Sequence, residues 1–264
     1  MQYLYETHLH TVQSSSCGES DGRSYIRGYK DLGYTGIIVT DHFFNGNSAI
    51  NRHLPWREWV NRFCQGYEDT LDEGEKQGLD VFFGWEETFE GDDYLIYGLD
   101  KDWLLDHPEA ARWTRLEQFN EVRRYGGCVV QAHPFRHVYY IDTVHLSTGC
   151  VDAVEAANAG NASPAYDAAA KRYAGKLGLP VTAGSDIHNC KQIKAGQIFG
   201  VYLDKKLDTI QDYVRAIREH TITGLRIPQG RCDFFNKKDI TLPVDIRDAD
   251  DRSTRQSLWD FLER

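Results

Sequence analysis

The sequence predicts an α/β fold: a barrel of strand–helix units with a metal site at the C-terminal ends of its strands. Three observations carry this. Short apolar runs alternate with longer amphipathic ones along most of the 264 residues, the pattern of a mainly parallel sheet. About seven such units are too many for a small open sheet and suit a ring of strands surrounded by helices. Histidines and carboxylates recur directly behind the apolar runs, where a parallel barrel gathers its strand ends on one rim.

The elements follow in order. Tyr3 to Leu9 reads as a strand, and Ser24 to Leu32 as a short helix closed by Gly33. Gly36 to Thr40 is a buried strand, and Pro55 to Gln77 a helix with Trp59, Phe63, Tyr67 and Leu71 near four-residue spacing. Asp80 to Trp85 is a strand, and Asp93 to Tyr97 another, added as a hairpin-like excursion. Thr114 to Tyr125 is a helix stopped by Gly126 and Gly127. Strands follow at Cys128 to Ala132 and Val151 to Ala156, then an Ala-rich helix from Pro164 to Leu177 that ends at Gly178. Pro180 to Ala183 and Gln197 to Leu203 are strands, and Asp208 to His220 is the last barrel helix. Residues 1–228 form the barrel domain in this reading. Residues 229–264, with charges crowded from Arg247 to Arg255 and a helical signal from Ser257 to Leu262, form an extension packed on it.

Forty acidic against thirty basic residues leave a formal charge of -10. Phosphate backbones need Lys and Arg on the contact face, so a long polynucleotide is a poor partner. No apolar run reaches the roughly 20 residues that cross a bilayer. The six cysteines form no CxxC pair, which disfavours a structural zinc knuckle. With no signal peptide, reduced thiols and a cytoplasmic location are expected.

His8 and His10 alternate out of one face of an extended chain, and so do Asp186 and His188. Two such pairs can chelate metal at little entropic cost. Asp41 and His42 follow the second strand, Glu86 and Glu87 the third, and His133 the run Val129 to Ala132. His53, His107, His145 and His220 are read as surface residues, and Trp56, Trp59 and Trp113 as packing. Gly184-Ser185 is a close approach to the metal and not a phosphate loop.

These residues resemble the PHP (polymerase and histidinol phosphatase) family. The motifs are His8-Leu9-His10-Thr11, Thr40-Asp41-His42, Gly84-Trp85-Glu86, His133-Pro134 and Gly184-Ser185-Asp186-Ile187-His188, in family order over roughly residues 1–225. The resemblance implies a distorted (β/α)7 barrel and two or three divalent metals, Zn, Mn or Fe. It implies that His8 and His10 hold one metal with Glu86 and Asp186, that Glu86 bridges to a second bound by His133, and that His42 and His188 hold a third. Asp93 stands where family members carry a second-metal histidine, a replacement these metals accept. Ser15 and Ser16 stand where members carry Asp or His, which leaves the third site short of a ligand unless Cys17 or Glu19 turns in.

The expected reaction is attack on phosphorus by a hydroxide bridging the metals. Glu86 and Asp186 serve the catalytic centre, and Arg136 clamps the phosphate. Asp41 orients a ligand. The expected substrate is a small phosphomonoester such as histidinol phosphate, a nucleotide or a sugar phosphate. The alternatives are a metal-dependent nuclease on short oligonucleotides and a non-catalytic metal-binding regulatory domain.

Overall fold

The fold is known from a computed structural model that describes residues 2–139, 141–194, 197–234, 236 and 238–263. Its first half runs β1 (Tyr3–Glu6), α1 (Arg23–Asp31), β2 (Gly36–Val39), α2 (Trp56–Phe63), α3 (Gln65–Gln77), β3 (Asp80–Phe89), β4 (Asp92–Tyr97), α4 (Lys101–Asp106) and α5 (Arg115–Arg124). Then come β5 (Cys128–Gln131), β6 (Val144–Ser147), β7 (Ala153–Asn158), α6 (Pro164–Leu177), β8 (Val181–Gly184), α7 (Lys191–Lys194), β9 (Gly200–Leu203), α8 (Ile210–Arg218) and β10 (Ile222–Arg226). The chain ends with β11 (Val244–Arg247), β12 (Ser253–Gln256) and α9 (Leu258–Glu263).

The main sheet has the order β10-β9-β1-β2-β3-β4-β5-β7-β8, and β8 curls back against β9 and β10 to make a nearly closed barrel. The barrel fold class read from the sequence is borne out. β4 forms the expected hairpin with β3, antiparallel to it and to β5, whereas the direction of β9, antiparallel to β1, is a correction to the mainly parallel reading. An apolar run such as Gln197 to Leu203 looks alike in either direction. The parallel strands β1, β2, β3, β5, β7 and β8 still deliver their C-terminal ends to one rim.

Other boundaries shift for physical reasons. β1 stops at Glu6, so His8 and His10 lie just beyond it. β3 continues to Phe89 and turns through Glu90-Gly91 into β4, so Glu86 and Glu87 sit inside a hairpin strand. The single helix expected over Pro55 to Gln77 breaks at Cys64, where the Phe63 carbonyl accepts from Ser14 Oγ at 2.7 Å in place of a helical N–H. Residues 100–112, unassigned from the sequence, hold α4 and a 3-10 turn, Pro108–Arg112. Residues 135–147, likewise unassigned, hold β6, and Tyr140 there lies outside the described residues. β6 is joined by β11 and β12 in a second, three-stranded sheet. Phe235, Lys237 and Arg264 of the expected extension also lie outside the described residues.

Aromatic packing backs the site. Phe43, directly behind His42, is fully buried against Trp59, Phe63 and Trp85. Trp56 and Trp113 pack on the same cluster, as the sequence suggested.

Candidate metal centre

The rim is assembled by backbone bonds between the motifs. Asp186 N–H donates to the His8 carbonyl at 2.8 Å, and His10 N–H to the Ile187 carbonyl at 3.0 Å. Glu86 N–H donates to the Asp41 carbonyl at 3.0 Å, which ties the third motif to the second. Buried Glu6 binds these turns from below: its carboxylate accepts from Thr7 N, His8 N, Ser185 N and Tyr29 Oη at 2.7–2.9 Å, and also from Ser185 Oγ. His133 and Asp186 both have positive φ, 27° and 53°, a conformation uncommon for residues with a Cβ.

The ligand-type atoms converge. The Nε2 atoms of His8 and His10 face each other at 3.1 Å. Glu86 Oε1 lies 3.1 Å from His8 Nε2 and 3.2 Å from His133 Nε2, while Oε2 lies 3.3 Å from His10 Nε2 and 3.0 Å from His42 Nδ1. Asp186 Oδ1 is 3.1 Å from His10 Nε2, and Asp93 Oδ2 is 3.9 Å from His133 Nε2. Four overlapping triads have their donor atoms within 4.8 Å of one another: His8, His10 and Glu86; His8, His133 and Asp186; Glu86, Asp93 and His133; and His10, His42 and His188. All eight residues expected from the sequence to bind metal are therefore in one place.

The donor set fits divalent cations. Glu86 Oε2 and His42 Nδ1 are buried 3.0 Å apart without the geometry of a hydrogen bond, and a cation between such groups would satisfy both. Burial opposes charge on His8, but Glu86, Glu155 and Asp186 outweigh it and raise the His8 pKa well above the usual value. Burial, with the neighbouring His42 and His188, lowers His10 to about 3, so it is neutral and free to ligate. Burial, aided by the charge of Glu86, raises Asp93 well above the carboxylate range.

Three of the five imidazoles are oriented from behind. His8 Nδ1 lies 3.1 Å from Glu155 Oε1, and His188 Nδ1 lies 2.8 Å from the Asp186 carbonyl. In both cases an N–H there leaves Nε2 as the ligating atom. His10 Nδ1 meets Ser15 Oγ at 3.2 Å, and that hydroxyl donates to Asp41 Oδ1 at 2.6 Å. Asp41 thus acts through Ser15 on the His10 ring, and the same hydroxyl accepts from the His42 backbone N–H at 3.0 Å. Sequence reasoning missed Glu155. The signal was a lone carboxylate within an apolar run, which has to be paired when buried.

Other expectations fall differently. Arg136 is not a free clamp: its guanidinium donates to Asp186 Oδ2, and to Asn158 Oδ1 at 2.9 Å. Glu19 accepts from Asn189 at 2.6 Å and Ser16 donates to the Ser48 carbonyl, so neither adds to the third triad. Cys17 lines the cleft, with its thiol pushed up by burial to about 12. His145 is no surface residue. It sits on β6, with Nδ1 2.9 Å from Asp92 Oδ2. His53 and His220 are exposed; His107 is half-buried, stacked on Trp103.

Fold and donor set together define an α/β barrel with a candidate divalent-metal centre. A family model described as PHP-associated matches residues 167–222. The chain is similar to a two-domain protein from Bacteroides vulgatus containing a predicted PHP-like metal-dependent phosphoesterase, with 18% identity and a TM-score of 0.60. That likeness covers 83% of this chain, which spans only 64% of the Bacteroides protein. It is also similar to PsfC from Pseudomonas syringae, with 16% identity and a TM-score of 0.53 over 88% of this chain and 93% of that one. No curated protein matches it in sequence. The PHP resemblance is borne out by the PHP-associated model, whose span includes Gly184-Ser185-Asp186-Ile187-His188, and the barrel fold is shared with the Bacteroides protein.

Proposed function

We propose that the protein is a metal-dependent phosphoesterase that hydrolyses a small phosphomonoester. The observation that carries this is the convergence of five imidazoles and three carboxylates in overlapping triads, at the floor of a cleft of about 520 Å³ that His42, His188, Glu86, Asp93 and Asp186 line. That volume falls within the range of small-molecule sites, roughly 300–1,000 Å³. We read the centre as holding two or three cations, Zn, Mn or Fe, which when bound supply Lewis-acid charge at the phosphoryl group and acidify water. His8, His10, Glu86 and Asp186 would hold the first, Glu86, His133 and Asp93 the second, and His42 with His188 the third.

The chain's own groups prepare the site. Glu155, the Asp186 carbonyl and Ser15 with Asp41 hold three imidazoles in the tautomer that presents Nε2. Arg136 neutralises Asp186 and fixes its orientation. The net charge of -10 disfavours a long polynucleotide. Among the described residues no helix is long and apolar enough to cross a membrane. All six thiols are free, in keeping with a cytoplasmic protein.

The test is turnover of histidinol phosphate, nucleotides, sugar phosphates and short oligonucleotides with added Zn, Mn or Fe. Monoester hydrolysis that is abolished by a chelator and by His8→Ala is expected. Activity that needs metal yet survives His8→Ala would overturn the site. Preference for oligonucleotides would replace the monoester reading, and metal binding without turnover would leave a regulatory domain.

A further inference from the structure

The second triad depends on a hairpin whose tip is held from outside the barrel. Glu86, Thr88 and Asp93 all belong to the β3–β4 hairpin, where Thr88 pairs with Asp93 and Phe89 with Asp92. Thr88 Oγ1 donates to Asp93 Oδ1 at 2.5 Å, so the two cleft-facing residues are locked together. Side chains alternate along a strand, so Asp92 points away from the cleft when Asp93 points into it. What grips Asp92 therefore sets the direction of Asp93.

That grip comes from three other elements. Arg115, at the start of α5, is only 3% exposed. Its guanidinium donates to the Phe89 carbonyl at 3.5 Å and lies 3.8 Å from Asp92 and 3.7 Å from Glu90. The ring of Tyr94 covers it at 5.5 Å. Its other terminal nitrogen, Nη1, donates to Asp251 Oδ1 at 2.9 Å. Asp251 belongs to the turn between β11 and β12. Arg247 of β11 reaches Glu90 as well, and His145 of β6 lies 2.9 Å from Asp92 Oδ2, the same oxygen that faces Arg115. A buried guanidinium cut off from one carboxylate partner is costly. The tail turn is thus part of what keeps Arg115 seated against the hairpin.

We propose that Arg115, held by Asp251, is a positioning residue for the second cation: it fixes the hairpin tip and thereby the reach of Asp93 toward His133. This rests on the metal-centre reading above. It gives the C-terminal sheet a part in metal selectivity and occupancy, not only in packing.

Asp251→Asn is the sharpest probe. Asp251 has φ 57°, which asparagine tolerates, so the change removes charge and leaves the turn intact. Arg252→Ala, in the same turn and 73% exposed, is the control. Bound metal is counted by elemental analysis, and affinity is measured by chelator competition on the full chain, with Asp93→Ala as reference. The expected result is that Asp251→Asn loses about tenfold in affinity for the cation whose binding Asp93→Ala impairs, the low end for partners that orient ligands. It should share this loss with Asp93→Ala and keep its other cations, while Arg252→Ala matches wild type. Arg115→Lys, which keeps charge but not the fork, should lose affinity in the same step. Unchanged affinity in Asp251→Asn, or equal weakening of every cation, overturns the proposal. A wild-type protein that binds no divalent metal overturns the metal-centre reading itself.

Discussion

Replacing Glu155 with glutamine alters one atom and almost no volume, yet the structure leaves the new amide no good orientation. Oε1 lies against His8 Nδ1 at 3.1 Å, while Oε2 accepts from His133 N at 3.2 Å and from Asn158 Nδ2 at 2.8 Å. Asn158 cannot turn over to compensate, because its Oδ1 already accepts from Arg136 at 2.9 Å and from Gly160 N at 2.8 Å. If the amide NH2 faces His8, the imidazole proton must move to Nε2 and block the atom aimed into the centre. If it faces the other way, two N–H donors meet a donor. A hydrogen bond to a charged group contributes about 1.5–3 kcal/mol, and tenfold in binding is about 1.4 kcal/mol. Glu155→Gln should therefore weaken metal binding about 10- to 100-fold, as is typical when the group behind a ligating histidine is lost. Chelator competition with Zn and Mn measures this directly, and phosphatase activity at limiting metal should fall in step. Wild-type affinity in Glu155→Gln would refute the claim that this carboxylate sets the His8 tautomer.

Two further outcomes follow from the charge state of the site. His8 has a raised pKa in the metal-free protein, so a cation arriving at Nε2 must displace a proton. Loading should release protons, and affinity should climb as pH rises toward that pKa; calorimetry in two buffers of different ionisation enthalpy should give different heats, and identical heats would count against it. Cys17 lines the cleft, but burial keeps its thiol protonated up to about 12. Cys17→Ser should keep kcat within about twofold, since only the thiolate is a nucleophile, and inactivation of the wild type by iodoacetamide at neutral pH would contradict this.

Much of the site was legible because its residues sit at strand ends, where apolar runs hand over to His and Asp. The spacing His8-Leu9-His10 and Asp186-Ile187-His188 needed no strand to work: both pairs converge although β1 ends at Glu6 and β8 at Gly184. Helix α6 was readable at both ends from Pro164 and Gly178. What stayed hidden was direction and partnership. Glu86 and Glu87 look like the end of a strand because they are charged, yet the chain continues as a hairpin that buries both. β12 has no alternating apolar residues to announce it, and the alternation in β11, buried Val244 and Ile246 against Asp245 and Arg247, is only four residues long. The pairing of His145 with Asp92 joins residues 53 positions apart by number, and nothing local marks either one.

The bonds from Asp186 N to the His8 carbonyl and from His10 N to the Ile187 carbonyl have a thermodynamic side. They stitch the last parallel strand of the ring to the first, above the point where β9 intervenes. Closing the ring and gathering the ligands are thus one event. Whatever ion occupies the gathered imidazoles is spent partly on holding the hoop shut, so apo and loaded chains should differ in melting behaviour by mass action as well as in turnover. A substitution at His8 or Asp186 that silences the protein must accordingly be judged against how much of the hoop it loosens.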